Sequence, residues 1–184
     1  MSLLAKIIYH KILRWKVVGN SNFSMDTIKK CVIIAVPHTS WHDFYIGLFL
    51  RSVTSLKTNF LGKKELFFFP FSIILRWLGG VPVDRFTKGN KVDAIASLFK
   101  SNNEFRIALS PEGTRSKVEK WRTGFYHIAK KANVPIIMVT LDFKNKINTI
   151  SDPFYISDDI EKDFLFMESF FKNVKGKVEE FSYD

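Results

Sequence analysis

The stretch Cys31-Val-Ile-Ile-Ala-Val36, followed by Pro37-His-Thr-Ser-Trp-His-Asp43, decides the fold of this chain. Its first part is short, apolar and rich in β-branched residues, which predicts a buried strand. Its second part predicts a turn and then a helix over residues 43–52, with Thr39 and Ser40 as candidate N-caps. A strand that leads directly into a helix indicates an α/β fold, in which polar groups after the strand collect at the carboxyl edge of the sheet.

His38 and Asp43 in this turn are a candidate general base and its orienting carboxylate. An imidazole held by a carboxylate can take the proton from a hydroxyl nucleophile. Asp43 falls in the first helical turn, where the helix dipole favours the ionised carboxylate. Two other interpretations stay open: a satisfied histidine beside a capping aspartate, and a metal site in which His38, His42 and Asp43 would need another ligand.

Two further strand-like segments end in charged residues. Phe105-Arg-Ile-Ala-Leu-Ser110 leads into Pro111-Glu-Gly-Thr-Arg-Ser116. There, Gly113 lets the backbone approach a ligand closely, and Arg115 offers a planar fork suited to phosphate. Gly79-Gly-Val-Pro-Val-Asp-Arg85 ends in an adjacent acid and base. Taken alone, the first motif is also compatible with an ordinary tight turn, and the second with a local ion pair at a strand end.

Together and in this order, the motifs resemble those of the glycerolipid acyltransferase family, the enzymes similar to 1-acylglycerol-3-phosphate acyltransferase. The four matching blocks are His38-Thr-Ser-Trp-His-Asp43, Gly80-Val-Pro-Val-Asp-Arg85, Glu112-Gly-Thr-Arg-Ser116 and Val134-Pro-Ile-Ile-Met138. Phe60-Leu-Gly-Lys-Lys-Glu-Leu66 is also similar to the family's lysine-bearing segment between the first two blocks. The resemblance extends from residue 15 to residue 155.

The resemblance implies an enzyme of phospholipid biosynthesis that moves a fatty acyl chain from acyl-CoA or acyl carrier protein to the hydroxyl of a lyso-lipid such as 1-acylglycerol-3-phosphate. It implies neither a cofactor nor a metal. His38 would be the general base and Asp43 its orienting residue. The acceptor and its phosphate would be held by residues of the other blocks: Lys63, Arg85, Glu112, Gly113, Thr114 and Arg115. His42 occupies a variable position of the first block and competes with His38 for the role of base.

Two alternative functions stay open at this point. A different lyso-lipid, such as an amino-acid-containing lipid, could be the acceptor, because the chain is short for the family. A non-enzymatic lipid-binding module would keep a basic surface and an apolar pocket. Such a module would not need His38 or Asp43.

Length and composition predict one globular domain. The chain has 184 residues and a hydrophobic fraction of 46%, enough for a substantial core. We expect residues 1–18 to form an amphipathic N-terminal helix and residues 19–184 to form the acyltransferase domain. Cys31 is the lone cysteine, which excludes a disulfide within the chain and fits a reducing compartment. We expect neither a signal peptide nor a membrane span, because no apolar stretch reaches about 18 residues.

The positive charge of the chain is distributed unevenly. The net charge is +10, with +5 in residues 1–30, +9 in residues 31–157 and −4 in residues 158–184. No nucleic-acid-binding motif accompanies it, so we do not expect nucleic acid as a partner. An anionic membrane surface favours this arrangement, which predicts peripheral association with the cytoplasmic face of the cell membrane.

Two apolar segments are candidates for contact with such a surface. Leu4, Ile8, Ile12 and Trp15 follow helical spacing beside a basic stripe, which is typical of an interfacial anchor. A helix docked on the core of the domain would show the same spacing. The second candidate is Phe67-Phe-Phe-Pro-Phe71, which could equally line an acyl tunnel or belong to the core.

The order of the remaining elements completes the prediction of an α/β fold, with a largely parallel central sheet and helices on both faces. A hairpin turn at Lys144-Asn-Lys146 would make the last strand an antiparallel edge. An apolar stripe in the C-terminal segment is predicted to pack on the sheet. Strands are expected near residues 31–36, 58–61, 80–83, 105–110, 135–141 and 146–150. Helices are expected near residues 3–16, 43–52, 65–77, 90–101, 121–132 and 158–174. The C-terminal stripe consists of Ile160, Phe164, Met167, Phe171 and Val174.

Overall fold

The centre of the fold is a seven-stranded sheet. The computed structural model describes residues 3–20, 28–83, 91–157 and 159–182. The strand order is β1-β7-β6-β2-β5-β3-β4, and the pairs are parallel except for β6 with β7. The predicted largely parallel sheet is therefore confirmed. The strands are β1 (Lys16–Gly19), β2 (Lys30–Val36), β3 (Asn59–Lys63), β4 (Gly80–Val83), β5 (Phe105–Leu109), β6 (Ile136–Thr140) and β7 (Ile147–Ile150).

Helices cover both faces of this sheet, as predicted. They are α1 (Leu3–Lys6), α2 (His42–Thr54), α3 (Phe71–Trp77), α4 (Lys91–Ser101), α5 (Gly124–Ala132) and α6 (Ile160–Phe170). A π-helical segment, Ile7–Ile12, continues α1, and short 3₁₀ turns occupy Lys64–Leu66 and Glu179–Phe181. In the described part of the chain, no helix has the length and apolar character that crossing a bilayer requires.

The central strand β2 contributes to two separate cores. Val32 and Ile34 lie in the larger core, together with side chains of α4, α5 and α6. Cys31 and Ile33 lie in a smaller core on the other face, which Leu50 of α2 joins. Burial on both faces explains why β2 is a continuous apolar run instead of an alternating one. The turn that carries His38 therefore follows a strand that is buried on both faces.

The C-terminal stripe packs as predicted, except at its first residue. Met167, Phe171 and Val174 are buried, and Phe164 packs against the larger core. Ile160, the first residue of α6, is exposed. The predicted antiparallel pairing of the last two strands is also confirmed, although it does not form an edge, because β1 pairs in parallel with the outer side of β7.

The predicted helix over residues 3–16 is wrong beyond residue 12. The chain turns at Arg14, which has a φ of 60°, and Lys16–Gly19 then forms β1. Trp15 is buried, with its ring edge-on to Phe143 at 4.9 Å. Burial of this large ring against the domain directs the chain onto β7, so Trp15 is a core residue and its predicted place in a membrane stripe is wrong.

One face of the N-terminal helical segment also packs on the domain. Tyr9 is fully buried, and its hydroxyl donates to Asn148 Oδ1 at 2.5 Å. Leu4 and Ile12 are exposed, whereas Ile8 is half-buried. The segment therefore combines a face that packs on the domain with apolar residues that face outward.

The predicted helix over residues 65–77 is interrupted, and α3 begins only at Phe71. Pro70 explains the break, because proline disfavours a helical backbone at the residue before it and has no N–H to donate. Phe67 is half-buried, and its ring fills the space in which a Cβ on Gly62 would lie, 2.7 Å from that site. Phe68, Phe69 and Phe71 are exposed, so the core interpretation of this phenylalanine cluster is wrong for these three, whereas Phe67 packs inward on Gly62.

Candidate active site

The predicted site residues collect at the carboxyl edge of the parallel strands. His38 follows β2 and Glu112 follows β5, and these strands pair with Ile34 opposite Leu109. Lys63 is the last residue of β3 and pairs with Val83 of β4 at the same edge. Arg85, which was also predicted for the site, lies outside the described residues.

His38 and Asp43 form a hydrogen-bonded pair. His38 Nδ1 lies 2.9 Å from Asp43 Oδ2, which also accepts the backbone N–H groups of Thr39 and Ser40 at 2.8 and 2.9 Å. The Asp43 side chain is 2% exposed and that of His38 is 26% exposed. A neutral His38 that donates from Nδ1 carries its lone pair on Nε2. The pair can therefore accept a proton on the exposed imidazole, while the buried carboxylate stabilises the resulting charge.

His42 lies in different surroundings. Its Nδ1 is 2.8 Å from Ser40 Oγ, and its ring is 4.3 Å from that of Trp41 and 5.4 Å from that of Tyr45, between centroids. Within the part of the chain that the structure describes, no hydrogen bond or ion pair joins it to a carboxylate. Among residues 3–20, 28–83, 91–157 and 159–182, no three His, Cys, Asp or Glu side chains are grouped in a way that could hold a metal. The geometry thus favours His38 over His42 as the base.

The C-terminal segment packs against the turn that carries His38. Val178 N–H donates to Thr39 Oγ1 at 3.2 Å, and a Cβ on Gly176 would lie 2.6 Å from the Thr39 side chain. Thr39 is thus engaged with this segment, and α2 has Trp41 as its N-cap without a side-chain cap. The prediction of Thr39 or Ser40 as the N-cap is therefore wrong. Thr39 is held by tertiary contact, whereas Ser40 Oγ accepts the His42 backbone N–H at 3.4 Å.

Glu112 connects the turn after β5 to the turn after β2. Its Oε1 accepts the backbone N–H of His38 at 2.9 Å, and its Oε2 accepts the hydroxyl of Ser110 at 2.6 Å. Burial raises the pKa of Glu112 above its usual range, while the bonds from Ser110 and from the His38 amide oppose that rise. The sequence motif pointed to Glu112 but not to Ser110, whose role depends on a turn that places its hydroxyl against the carboxylate.

The raised pKa of Glu112 predicts a specific dependence of stability on pH. Because the folded state holds the proton of Glu112 more tightly than the unfolded state, the free energy of unfolding should fall as pH rises from the ordinary carboxyl pKa through the raised one. Glu112→Gln, which cannot ionise, should lack this fall. Urea unfolding of both proteins between pH 4 and pH 8 measures the difference. Glu119→Gln, an exposed glutamate in the same loop, should behave like wild type.

Two features of the structure require glycine at position 113. Its φ is +64°, in the left-handed region that favours glycine. A Cβ at this position would also lie 2.7 Å from Arg122 Nε. The guanidinium of Arg122 therefore packs against the backbone of the loop. The backbone N–H of Arg122 also donates to the carbonyl oxygen of Pro111 at 2.9 Å. Arg122 is a cation of this region that the sequence motifs did not indicate.

The other predicted acceptor residues are placed at or near the same opening. Arg115 is exposed and lines a cavity together with His38. Thr114 Oγ1 accepts the backbone N–H of Ser116 at 3.3 Å, which orders the loop before and after Arg115. Lys63 is exposed at the end of β3. The described cations thus lie where a phosphate could approach from solvent.

The cavity extends from His38 and Asp43 into the space between α2 and the sheet. Its volume is about 340 Å³. Its walls are largely apolar and include Leu48 and Leu50 of α2 and Ile33, Ile137 and Val139 of the sheet. A base at the mouth of an apolar cavity suits a substrate whose reacting polar group is attached to hydrocarbon.

The chain is similar to known acyltransferases. The family described as Acyltransferase matches residues 14–142. The 1-acyl-sn-glycerol-3-phosphate acyltransferase of Haemophilus influenzae is 35% identical over 99 residues, covering 50% of this chain and 41% of that protein. The enzyme of the same name from Escherichia coli K12 is 38% identical over 95 residues, covering 48% and 39%. The matched part thus spans about two fifths of the length of these relatives.

A plant relative and a solved structure extend the match along the chain. The chloroplastic 1-acyl-sn-glycerol-3-phosphate acyltransferase BAT2 of Brassica napus is 29% identical over 154 residues, covering 79% of this chain and 42% of that protein. The crystal structure of the 1-acyl-sn-glycerophosphate (LPA) acyltransferase PlsC from Thermotoga maritima shares the fold, with a TM-score of 0.63 at 20% identity, over 91% of this chain and 73% of that one. With its sheet, its His38 turn and most of its length matched, the chain belongs to the glycerolipid acyltransferase family.

Proposed function

We propose that this protein transfers a fatty acyl chain from a thioester donor, acyl-CoA or acyl carrier protein, to the hydroxyl of a lyso-lipid in phospholipid biosynthesis. The acceptor we propose is 1-acylglycerol-3-phosphate, after which the relatives are named. The observation that carries the proposal is the His38–Asp43 pair at the mouth of an apolar cavity. This pair supplies a base, and the cavity supplies room for hydrocarbon.

The proposed reaction uses the pair in one direct displacement. His38 Nε2 takes the proton of the acceptor hydroxyl as its oxygen attacks the thioester carbonyl carbon. The tetrahedral oxyanion then collapses, the carbon–sulfur bond breaks, and the thiolate takes the proton from the imidazolium. Asp43 stabilises the imidazolium throughout.

A covalent acyl-enzyme on the lone cysteine has no support. Cys31 is fully buried in β2. Burial raises the pKa of its thiol to about 12, although the charge of Arg106 opposes this. A thiol that is both inaccessible and protonated is a poor nucleophile. Direct attack by the acceptor hydroxyl is therefore the mechanism we propose.

In this proposal, Lys63, Arg85 and Arg115 hold the phosphate of the acceptor. A phosphate monoester needs more than one cation, and Lys63 and Arg115 lie at the edge that carries His38. We assign Gly113 and Thr114 to shaping the loop. We assign Glu112 to fixing the turns after β2 and β5, an assignment supported by the bonds that its two oxygens accept from the His38 amide and the Ser110 hydroxyl.

Arg115→Ala is expected to raise the KM for the acceptor roughly tenfold and to leave the KM for the donor nearly unchanged. The loss of a charge-assisted bond to phosphate causes the effect, and the exposure of Arg115 keeps it at the lower end of the usual range. Initial rates with each substrate varied in turn measure it. Arg115→Lys should recover part of the loss, and Lys120→Ala should have little effect. A rise in the donor KM instead would assign Arg115 to the donor.

An acyl-transfer assay tests the function as a whole. Acyl-CoA and acylated carrier protein are each offered with 1-acylglycerol-3-phosphate, an uncharged monoacylglycerol and an amino-acid-containing lyso-lipid. We expect transfer to the phosphate-bearing acceptor and none with His38→Ala. Transfer only to the amino-acid-containing lipid would identify the alternative acceptor. Lipid binding that His38→Ala preserves, without transfer by wild type to any acceptor, would instead indicate a binding module.

We propose that the protein works as a peripheral protein at the cytoplasmic face of the cell membrane. The support is the uneven charge of the chain: residues 1–157 carry +14 and residues 158–184 carry −4, and the positive part favours an anionic surface. Lipid substrates would reach such a protein from the bilayer.

A further inference from the structure

An unusually apolar surface surrounds helix α3. We define the α3 surface as the exposed apolar side chains between residues 66 and 77. It holds seven of the nineteen large hydrophobic side chains that are exposed in the described part of the chain. Phe69 and Trp77 are each 79% exposed. The members are Leu66, Phe68, Phe69, Phe71, Ile73, Ile74 and Trp77.

These exposed apolar side chains are clustered within one short segment of the chain. Single exposed hydrophobic residues are normal on soluble proteins, whereas contiguous apolar patches mark interaction sites. In α3, Ile73 and Ile74 precede Trp77 by four and three positions, so both lie on the same side of the helix as Trp77. Phe68, in the loop before it, packs its ring on Phe71 with centroids 5.1 Å apart. Loop and helix therefore form one outward-facing unit.

The α3 surface adjoins the cavity of the candidate active site. Leu78 follows directly after Trp77 and lines that cavity. The guanidinium of Arg51 on α2 donates to the carbonyl of Leu78 and holds the end of α3 against the cavity wall. The apolar surface and the apolar cavity are thus joined through Leu78.

The charges around the α3 surface indicate which partner covers it. Lys63, Lys64 and Arg76 are exposed beside it, and within residues 63–77, all of which the structure describes, Glu65 is the one acid. The Arg76 guanidinium lies over the ring of Phe67, 5.7 Å from its centroid. Aromatic rings with neighbouring cations suit the boundary between anionic headgroups and acyl chains. A second copy of the chain, also at +10, would be repelled.

We propose that the α3 surface inserts into the headgroup boundary of an anionic bilayer and places the cavity mouth against the lipid. The inference rests on the proposed function in one respect only, namely that the cavity receives a lipid chain. The α3 surface, and not the stripe at the N-terminus, then supplies most of the apolar contact with the membrane. Leu4 and Ile12 of that stripe are exposed, but Tyr9 and Trp15 tie their segment to the core.

Vesicle sedimentation of the full chain tests this inference. The vesicles contain phosphatidylcholine with or without phosphatidylglycerol, at low and high salt. Wild type should bind the anionic vesicles and be released by salt. Phe69→Asp and Trp77→Asp should each lower the partition coefficient about tenfold or more, since each removes a large apolar side chain from the boundary. Leu165→Asp, 70% exposed on α6, is the matched control and should bind like wild type.

A second measurement does not depend on the aspartate variants folding. Lipids brominated near the headgroup should quench the tryptophan fluorescence of wild type. This quenching should fall in Trp77→Phe, and what remains is assigned to Trp41, which is 61% exposed in the His38 turn. Full binding by Phe69→Asp and Trp77→Asp would overturn the inference. An equal loss of vesicle binding in Leu165→Asp, or a loss confined to Leu4→Asp and Ile12→Asp, would also overturn it. A dimer in solution that Trp77→Asp dissociates would overturn it as well.

The acyl-transfer assay separates this inference from the proposed function. With detergent-dispersed substrates, Phe69→Asp and Trp77→Asp should turn over like wild type. If wild type transfers no acyl group yet binds anionic vesicles through the α3 surface, the proposed function fails and the membrane inference stands. If wild type transfers acyl groups but ignores anionic vesicles at low salt, the membrane inference fails alone.

Discussion

Replacing His38 with alanine is expected to lower kcat by about 10²–10⁴-fold, the usual contribution of general-base catalysis. The imidazole would be the group that takes the proton of the acceptor hydroxyl, and its Nδ1 is already held by Asp43 at 2.9 Å. Because the side chain lies at the cavity mouth and is 26% exposed, its removal should leave the fold intact. Steady-state rates, with circular dichroism and thermal unfolding as checks, measure the effect.

His42→Ala is the internal control for that experiment. His42 lies in the same turn, but it contacts Ser40 and the rings of Trp41 and Tyr45. Its loss should reduce kcat by only a small factor. Comparable turnover by folded His38→Ala and wild type would refute the assignment, and a large loss confined to His42→Ala would transfer the role of base to His42.

Asp43→Asn is expected to lower kcat strongly, by about 10²-fold or more, though less than His38→Ala. Asparagine keeps the shape of the side chain and one oxygen that can accept the Thr39 and Ser40 amides, which lie 2.8 and 2.9 Å from Oδ2. It removes the negative charge that would stabilise the imidazolium. The effect should therefore fall on kcat, with the KM of the acceptor nearly unchanged.

The Asp43→Asn variant also separates a catalytic role from a structural one. Asp43→Ala would leave buried amides without an acceptor and should lower the thermal midpoint, because an unsatisfied buried donor costs on the order of 1–3 kcal/mol. Asp43→Asn should unfold close to wild type. If it loses activity only in proportion to its stability, Asp43 caps the turn and does not orient His38.

The sequence by itself predicted the main features of the fold. The run of β2 is apolar throughout because both faces of the strand are buried, and such a run is visible without coordinates. The hairpin at residues 144–146 and the C-terminal stripe were visible in the same way. These signals are local, since each depends on residues that are neighbours in the chain or on one side of a helix.

Other features of the fold depended on distant contacts. Residues 13–16 continue a helical pattern, yet burial of Trp15 against Phe143 ends the helical segment and gives β1 as a partner to β7. Near residue 67, the sequence offered a phenylalanine cluster with three possible roles. Only the folded chain shows Phe67 packed inward and Phe69 facing outward, because the ring of Phe67 packs on Gly62 of β3 and Gly80 of β4, which come together only when these strands pair.

The candidate site also combines features that the sequence predicts with features that depend on tertiary contacts. The sequence alone determined which residues could act as base, orienting acid and cations, because the chemistry belongs to His38, Asp43 and Arg115 themselves. Only the tertiary structure decided that both oxygens of Glu112 are taken by Ser110 and the His38 amide, and that α2 stands off the sheet around a cavity. The parallel sheet brings the ends of separate strands to one edge, and distances across that edge are set by packing between segments that are far apart in sequence.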